Sequence, residues 1–281
     1  HMHHTQESTI VNERQSDTFA RRYGRWALIA GSAEGMGIAY AERFARHGLD
    51  LVLLDRDGAG LKAQAKALKA EHGVEVRAIR CDLADTESVE KILDGLEKLE
   101  IGMLVYNAAA ADSGPWLEVP LARKNMVVSV NVLTPLALVD RLSRKMAARG
   151  RGGIILTSSM SALHGAPRQG VYAATKAFDL ILGETLWAEL AEHGVDALAF
   201  VPGMVNTPSF VRTGANRSAT ALMPPVEPEQ AVDEALAALG KYPSWIPGRV
   251  WRAAAVALTK IVPRRLSIRF TADRMKQFGK S

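Results

Sequence analysis

In VYAATKA, residues 171–177, a tyrosine and a lysine stand four positions apart, Tyr172 and Lys176. Positions i and i+4 share one face of a helix, so both side chains can point into one cleft. A tyrosine phenol titrates near ~10 in isolation, and a neighbouring ammonium favours its phenolate. Such a phenol can trade a proton with an alcohol or a ketone near neutral pH. Alone the pair is a weak signal, because most tyrosines and lysines at this spacing are surface or core residues. Ser159 stands 13 residues before Tyr172. A hydroxyl there can hydrogen-bond a substrate carbonyl and stabilise negative charge growing on its oxygen. The bland reading of Ser158, Ser159 and Ser161 is a strand-end turn or a helix cap.

A second group of residues points to a nucleotide. In AGSAEGMG, residues 30–37, Gly31, Ser32, Gly35, Met36 and Gly37 lie where a strand runs into a helix. Glycine there allows a tight turn and lets backbone N–H groups approach a pyrophosphate, and the helix N-terminus favours the anion. The alternative is a turn with a close packing contact. Asp55 closes the second strand, 24 residues after Gly31, where a carboxylate can bind an adenosine ribose. Asp55 and Glu34 would both repel a 2′-phosphate and favour NAD over NADP. Arg56 pulls the other way, since a guanidinium pairs with phosphate.

These residues need a scaffold, and the hydropathy pattern supplies one. Apolar runs at 25–30, 50–55, 75–80, 101–106, 152–158 and 195–201 alternate with helical patterns that stop at Gly48, Gly73 and Gly194. Strands apolar nearly throughout are buried on both faces, which predicts an α/β fold: a doubly wound parallel sheet with helices on each side. The serines and the glycine loop then meet at the carboxyl edge of that sheet, where open α/β sheets bind ligands. The turn-rich stretch 203–227 reads as a lid, followed by a helix near 228–240 and a short strand near Trp245.

The bulk numbers agree. The 281 residues, 48% apolar, suit one large domain, and the single cysteine, Cys81, fits a reducing compartment. No uninterrupted apolar run approaches the ~18 residues of a membrane span, and the polar N-terminus reads as an extension with a tag remnant, so a cytoplasmic protein is expected. The net charge of +5 is uneven: residues 249–281 carry nine Lys or Arg against Asp273 alone, while the rest holds 26 basic and 29 acidic groups. This argues against a nucleic-acid-binding surface on the body. The expected organisation is an extension (1–23), a catalytic domain (24–248) and a basic helical tail (249–281). In the tail, Trp251, Ala254, Leu258 and Ile261 are expected on one helical face, with a stop at Pro263. That helix reads as a lid or subunit contact in preference to a peripheral membrane contact.

The ordered motifs AGSAEGMG (30–37), CDL (81–83), YNAAA (106–110), Asn131 in SVNVLTP, SS (158–159), YAATK (172–176) and PGMVNTP (202–208) resemble the short-chain dehydrogenase/reductase family of the TGxxxGxG and YxxxK type. YGRWALIAGSAEGMGIAYAERFARHG and IGMLVYNAA are also similar to its branch of 17β-hydroxysteroid dehydrogenases and 3-oxoacyl-CoA reductases. The resemblance implies a single Rossmann-type domain of about seven strands. It implies Tyr172 as general acid or base, Lys176 on the nicotinamide ribose, Ser159 on the substrate oxygen and Asn131 holding a water behind Lys176. It further implies that Asp82 and Leu83 flank the adenine. Asn107, Ala108 and Ala109 would line the cleft, and Pro202, Gly203, Val205 and Thr207 would cover the nicotinamide. Ala30 and Ala109 depart from the family's threonine and glycine. The activity implied is NAD(P)-dependent interconversion of a secondary alcohol and a ketone, with a hydrophobic substrate and a homodimer or homotetramer. A dehydratase or epimerase on the same fold, or a cofactor-binding redox sensor, are the rivals. No metal is expected: His164 has no HExxH, CxxC or second histidine beside it, and reads as a loop residue at the cleft.

Overall fold

The computed structural model describes residues 18–212 and 223–277, with side chains to residue 272. Most of the expected N-terminal extension, lid residues 213–222 and the last four residues lie outside the described residues. The seven expected strands form one sheet: β1 (Trp26–Ala30), β2 (Asp50–Asp55), β3 (Val76–Arg80), β4 (Ile101–Tyr106), β5 (Gly152–Thr157), β6 (Val195–Phe200) and β7 (Ser244–Trp245). Their order is β3-β2-β1-β4-β5-β6-β7, and every pair is parallel. The chain moves outward from β1 in one direction, then returns to start again at β4. The crevice between β1 and β4 is therefore the switch point where such sheets bind ligands.

The alternation of side chains divides the core in two. Ala27, Ile29, Leu51, Leu53 and Val105 face one layer with Tyr40, Phe44, Leu61 and Val232. Trp26, Leu28, Val52, Leu54 and Leu104 face the other with Leu138, Leu142 and Met146. The first layer is made by α1 (Met36–Arg46), α2 (Gly58–His72) and, after the lid, α8 (Pro228–Ala238). The second contains α3 (Thr86–Gly95), α4 (Leu121–Val128) and α5 (Thr134–Arg149). The long α6 (Gly170–Leu190) lies over β5 and β6, and the short α7 (Pro208–Arg212) opens the lid. Strands sealed on both faces must be apolar along most of their length, as β1 and β4 are throughout and β2 and β5 are between their polar ends.

Two regions differ from the periodicity. The helical stretch Leu121–Arg149 is interrupted: residues Ser129–Leu133 form a π-helical turn between α4 and α5. The extra residue in that turn redirects Asn131 inward, a use typical of π-bulges at functional sites. The combined stretch Leu121–Arg149 is long and apolar enough to cross a membrane by length and composition, but nearly half of it is buried in the protein. The tail shows the second difference. After α9 (Arg249–Val256), residues Ala257–Ile261 are again π-helical, before α10 (Arg264–Gln277). The changed pitch breaks the expected apolar face: Trp251 is buried, but Ile261 is 74% exposed. The tail is still clamped to the body. Glu234 accepts hydrogen bonds from the Trp245 indole (3.0 Å), the Gly248 amide (3.1 Å) and Arg252 (2.8 Å).

The start of α6 is held from a distant loop. Asp112, buried at 3% exposure, accepts the backbone N–H groups of Val171 (3.1 Å) and Tyr172 (2.8 Å). No residue at the N-cap position does this, since Gln169 makes no side-chain cap. Asp112 therefore serves as a remote cap and sets where α6 begins. Replacing it (Asp112→Ala) should cost about 1–2 kcal/mol, by analogy with lost N-caps, and lower both the melting temperature and kcat/KM. Asp112→Asn should restore part of both, as read by thermal unfolding and steady-state rates.

Candidate active site

β1 delivers the chain to Gly31, which turns at φ +80. A Cβ there would stand 2.5 Å from the Ala108 amide nitrogen, so only glycine lets the loop and the end of β4 meet. Gly35 (φ +55) fits likewise against Thr207, whose Cγ2 would lie 2.6 Å from an added Cβ. The two segments are tied by Asn107, whose Nδ2 donates to the Gly31 carbonyl at 2.9 Å, and by the Asn107 and Ala108 amides, both donating to Ala30 O at 2.9 Å.

This edge of the sheet encloses a cavity of about 750 Å³. Gly31, Gly35, Met36, Asp55, Arg56, Asp82, Leu83, Asn107, Ala108 and Ala109 line one part of it. Ser159, Tyr172, Lys176, Pro202, Gly203, Val205 and Thr207 line the other. Three expected site residues do not reach the cavity. Ser32 is sealed beneath the loop, its hydroxyl 3.5 Å from Leu54 O. Gly37 packs against the Gly31 carbonyl at the start of α1. Asn131, fully buried, holds Ala110 at both ends (Nδ2 to Ala110 O and Ala110 N to Oδ1, both 2.8 Å) and donates to Thr175 Oγ1 at 2.9 Å. It buttresses the loop after β4 against α6.

The catalytic-type residues converge where β5 ends. Lys176 is 1% exposed, and its Nζ donates to Thr157 O (2.7 Å) and to Asp179 (3.0 Å). Its Nζ lies 6.0 Å from the centre of the Tyr172 ring. Ser159 Oγ accepts the Ser161 amide at 3.2 Å, the cap reading of that serine, while its residue also borders the cavity. The Met160 amide donates to Pro202 O at 3.0 Å, joining the serine loop to the segment expected over the nicotinamide. Thr157 Oγ1 and Asn107 Oδ1 are buried without a hydrogen-bond partner among the described residues. Orphan polar atoms beside a glycine cradle suit a nicotinamide dinucleotide, whose ribose and carboxamide groups are donors.

Electrostatics alter the sequence-based picture. Glu34 does not face the cavity as a free charge, because Arg212 grips it through two hydrogen bonds (2.6 and 2.9 Å). Both Asp55 oxygens accept backbone N–H groups, from Ala33 (3.0 Å) and Asp57 (3.1 Å). Burial, aided by Asp82 and Asp85, pushes the Cys81 thiol up to about 11, so the cysteine on this cavity stays protonated. His164 turns away from the cleft: it is 9% exposed, bonded to Gly165 O (3.0 Å) and covered by Thr271 of α10. Asp112, Asp179 and Arg212 are the functional-looking residues that sequence reasoning missed. Asp179 alone carried a local signal, its i+3 spacing from Lys176.

A parallel sheet whose switch point carries a glycine cradle and a Ser–Tyr–Lys set defines a nucleotide-dependent oxidoreductase. The chain belongs to the short chain dehydrogenase family, which it matches over residues 25–218. It is an oxidoreductase of that family, which uses NAD(P). It is 32% identical over 230 residues to a 7beta-hydroxysteroid dehydrogenase of Collinsella aerofaciens, covering 81% of this chain and 88% of that protein. It is 33% identical over 190 residues to the human very-long-chain 3-oxoacyl-CoA reductase, covering 66% of this chain and 60% of that protein. A solved structure from a study of 7beta-hydroxysteroid dehydrogenase stereoselectivity superposes with a TM-score of 0.86 at 30% identity, covering 90% of this chain and 98% of that one. Both relatives fall where the resemblance had pointed.

The Glu34–Arg212 pair joins the glycine loop to the lid and is solvent-exposed, so it is screened. Arg212→Ala should raise the cofactor KM by roughly two- to fivefold, with kcat and melting temperature nearly unchanged. High salt should erase the difference between variant and parent.

Proposed function

We propose that the protein interconverts a secondary alcohol and a ketone on a bulky apolar substrate, with Tyr172 moving the proton. The observation that carries this reading is that Ser159, Tyr172 and Lys176 line the same cavity as the glycine cradle. Tyr172 Oη would take the alcohol proton in oxidation and return it in reduction. Ser159 Oγ would donate to the substrate oxygen and hold it against the phenol. Lys176 has three N–H groups; two are engaged inward, which leaves one for a ribose hydroxyl at the cavity wall. Asn131 and Asp112 keep α6 and the loop after β4 in register. When bound, the nicotinamide supplies the two-electron acceptor or donor. Apolar walls at Met126, Met204 and Phe210, and the exposed Trp116 and Leu117 on the loop before α4, support a hydrophobic substrate such as a hydroxysteroid.

For the cofactor, the geometry weighs against the expected preference for NAD. Arg56 and Asp57 line both this cavity and a second hollow of about 590 Å³ beside Lys62 and Arg80, where the adenosine end of the cofactor would lie. Asp57 in that hollow is engaged as the cap of α2, accepting Ala59 N (3.1 Å) and Gly60 N (3.0 Å). Three cations there suit a 2′-phosphate, so NADP is accepted in this reading. Exposed Leu133 just before α5, Leu136 on α5 and Ile181 on α6 support the expected homodimer or homotetramer, with its contact along these helices.

A panel of alcohols, including cyclohexanol and 7-hydroxysteroids, read at 340 nm with NAD and with NADP, tests the reaction. Tyr172→Phe should bind cofactor normally and lose at least roughly 100-fold in kcat; turnover within a few-fold of the parent would refute the role of the phenol. Arg80→Ala should raise the KM for NADP more than that for NAD. Equal effects on both would remove the phosphate reading.

A further inference from the structure

Lys176 and Asp179 form an ion pair sealed from water: each side chain is 1% exposed, and Nζ lies 3.0 Å from Asp179 Oδ2. Asp179 Oδ1 has no hydrogen-bond partner among the described residues. The carboxylate is therefore compensated by the lysine alone. Among the described residues Lys176 is the one charged group that acts on it, and burial holds its carboxyl above the usual range. Tyr106, facing it from β4, is held protonated by burial and by the carboxylate itself, and its hydroxyl donates to Val130 O. Thr157 at the end of β5 and Ser158 just after it are neutral, and the Cys81 thiol stays protonated. Asp112 faces the backbone of Val171 and Tyr172 at the other end of the same turn, engaged by both amides.

A lysine expected to bind ribose and charge the site does not require a buried counter-ion. Burying a carboxylate costs several kcal/mol before any attraction offsets it. A carboxylate kept here must act on the ammonium. We infer that Asp179 is a positioning residue: it pins the Lys176 ammonium beneath the cavity and cancels most of the field that this ammonium exerts on the Tyr172 phenol. The pair is the anchor, with Thr157 O as its second point, and the third N–H is aimed at the cavity. The lysine is a precisely held donor, and Asp179 sets the pH at which the phenol exchanges its proton. This inference rests on the acid–base role given to Tyr172 above.

The test is Asp179→Asn, which keeps the shape and removes the charge. With the best alcohol of the panel and NADP, kcat/KM for oxidation is measured against pH. Without the carboxylate, the uncompensated ammonium favours the phenolate, so the acid limb should move to lower pH by roughly one unit. The Kd for NADP, read by tryptophan quenching, should rise severalfold as the lysine loosens. A limb that stays in place, at whatever rate, overturns the inference. If Asp179→Asn fails to fold, urea unfolding of Lys176→Met, Asp179→Leu and the double variant decides. The double variant should be more stable than Asp179→Leu, because neither charge is left alone in the core; additive losses overturn the pairing. Tyr172→Phe separates the two readings: if it retains turnover, the acid–base role fails, whereas an unmoved limb beside an inactive Tyr172→Phe removes only the role of Asp179.

Discussion

An ammonium held out of water at the carboxyl edge of a parallel sheet is the constraint around which the rest of this protein is arranged. Lys176 cannot sit at 1% exposure unless its hydrogens are matched. The last carbonyl of β5 and the carboxylate one turn further along α6 match two of them. That fixes α6 against β5, and α6 carries Tyr172 to the cavity with it. The hydroxyl of Ser158 adds a bond to the Lys176 carbonyl at 2.6 Å, so strand and helix are joined through both backbone and side chain.

The opposite wall is built on a different principle, the absence of side chains. Gly31 and Gly35 allow three segments to meet: the loop after β1, the end of β4 and the lid at Thr207. Asn107 and Asn131 then act as rigid spacers. One bridges β4 to the glycine loop, the other bridges the next loop to α6 through Ala110 and Thr175. The π-turn that holds Asn131 gives α4–α5 a local change of pitch, and so directs one amide inward from a helix whose neighbours face the core. A second π-turn in the tail has the opposite effect, turning Ile261 outward.

Charge is handled by pairing across distance. Glu34, a single acid in the phosphate loop, is countered by Arg212 from the lid, 178 residues along the chain. Asp55 accepts one backbone N–H from the glycine loop and one from its own turn, and Asp112 caps a helix that begins 58 residues after it. Each carboxylate invites a ligand-binding reading when seen alone. In the fold Asp55 and Asp112 hold backbone amides, and Glu34 holds a guanidinium from the lid.

Much was legible from the chain by itself. Strand positions came from apolar runs because the middle of a sheet covered on both faces favours apolar residues, and the helix ends came from glycines able to adopt positive φ. Tyr172 and Lys176 were readable because helical spacing is local. The cavity's loops were readable because glycine marks close backbone approach. What the tertiary structure alone decided concerns partners far apart in sequence. It turned His164 under the tail and Ile261 out of it, neutralised Glu34, and drew Ser32, Gly37 and Asn131 behind the cavity wall. It also set Asp179 against the lysine, since i+3 spacing permits a contact but only burial makes it a pair. Periodicity reports which face a residue takes; the charge it meets there depends on what the fold packs opposite.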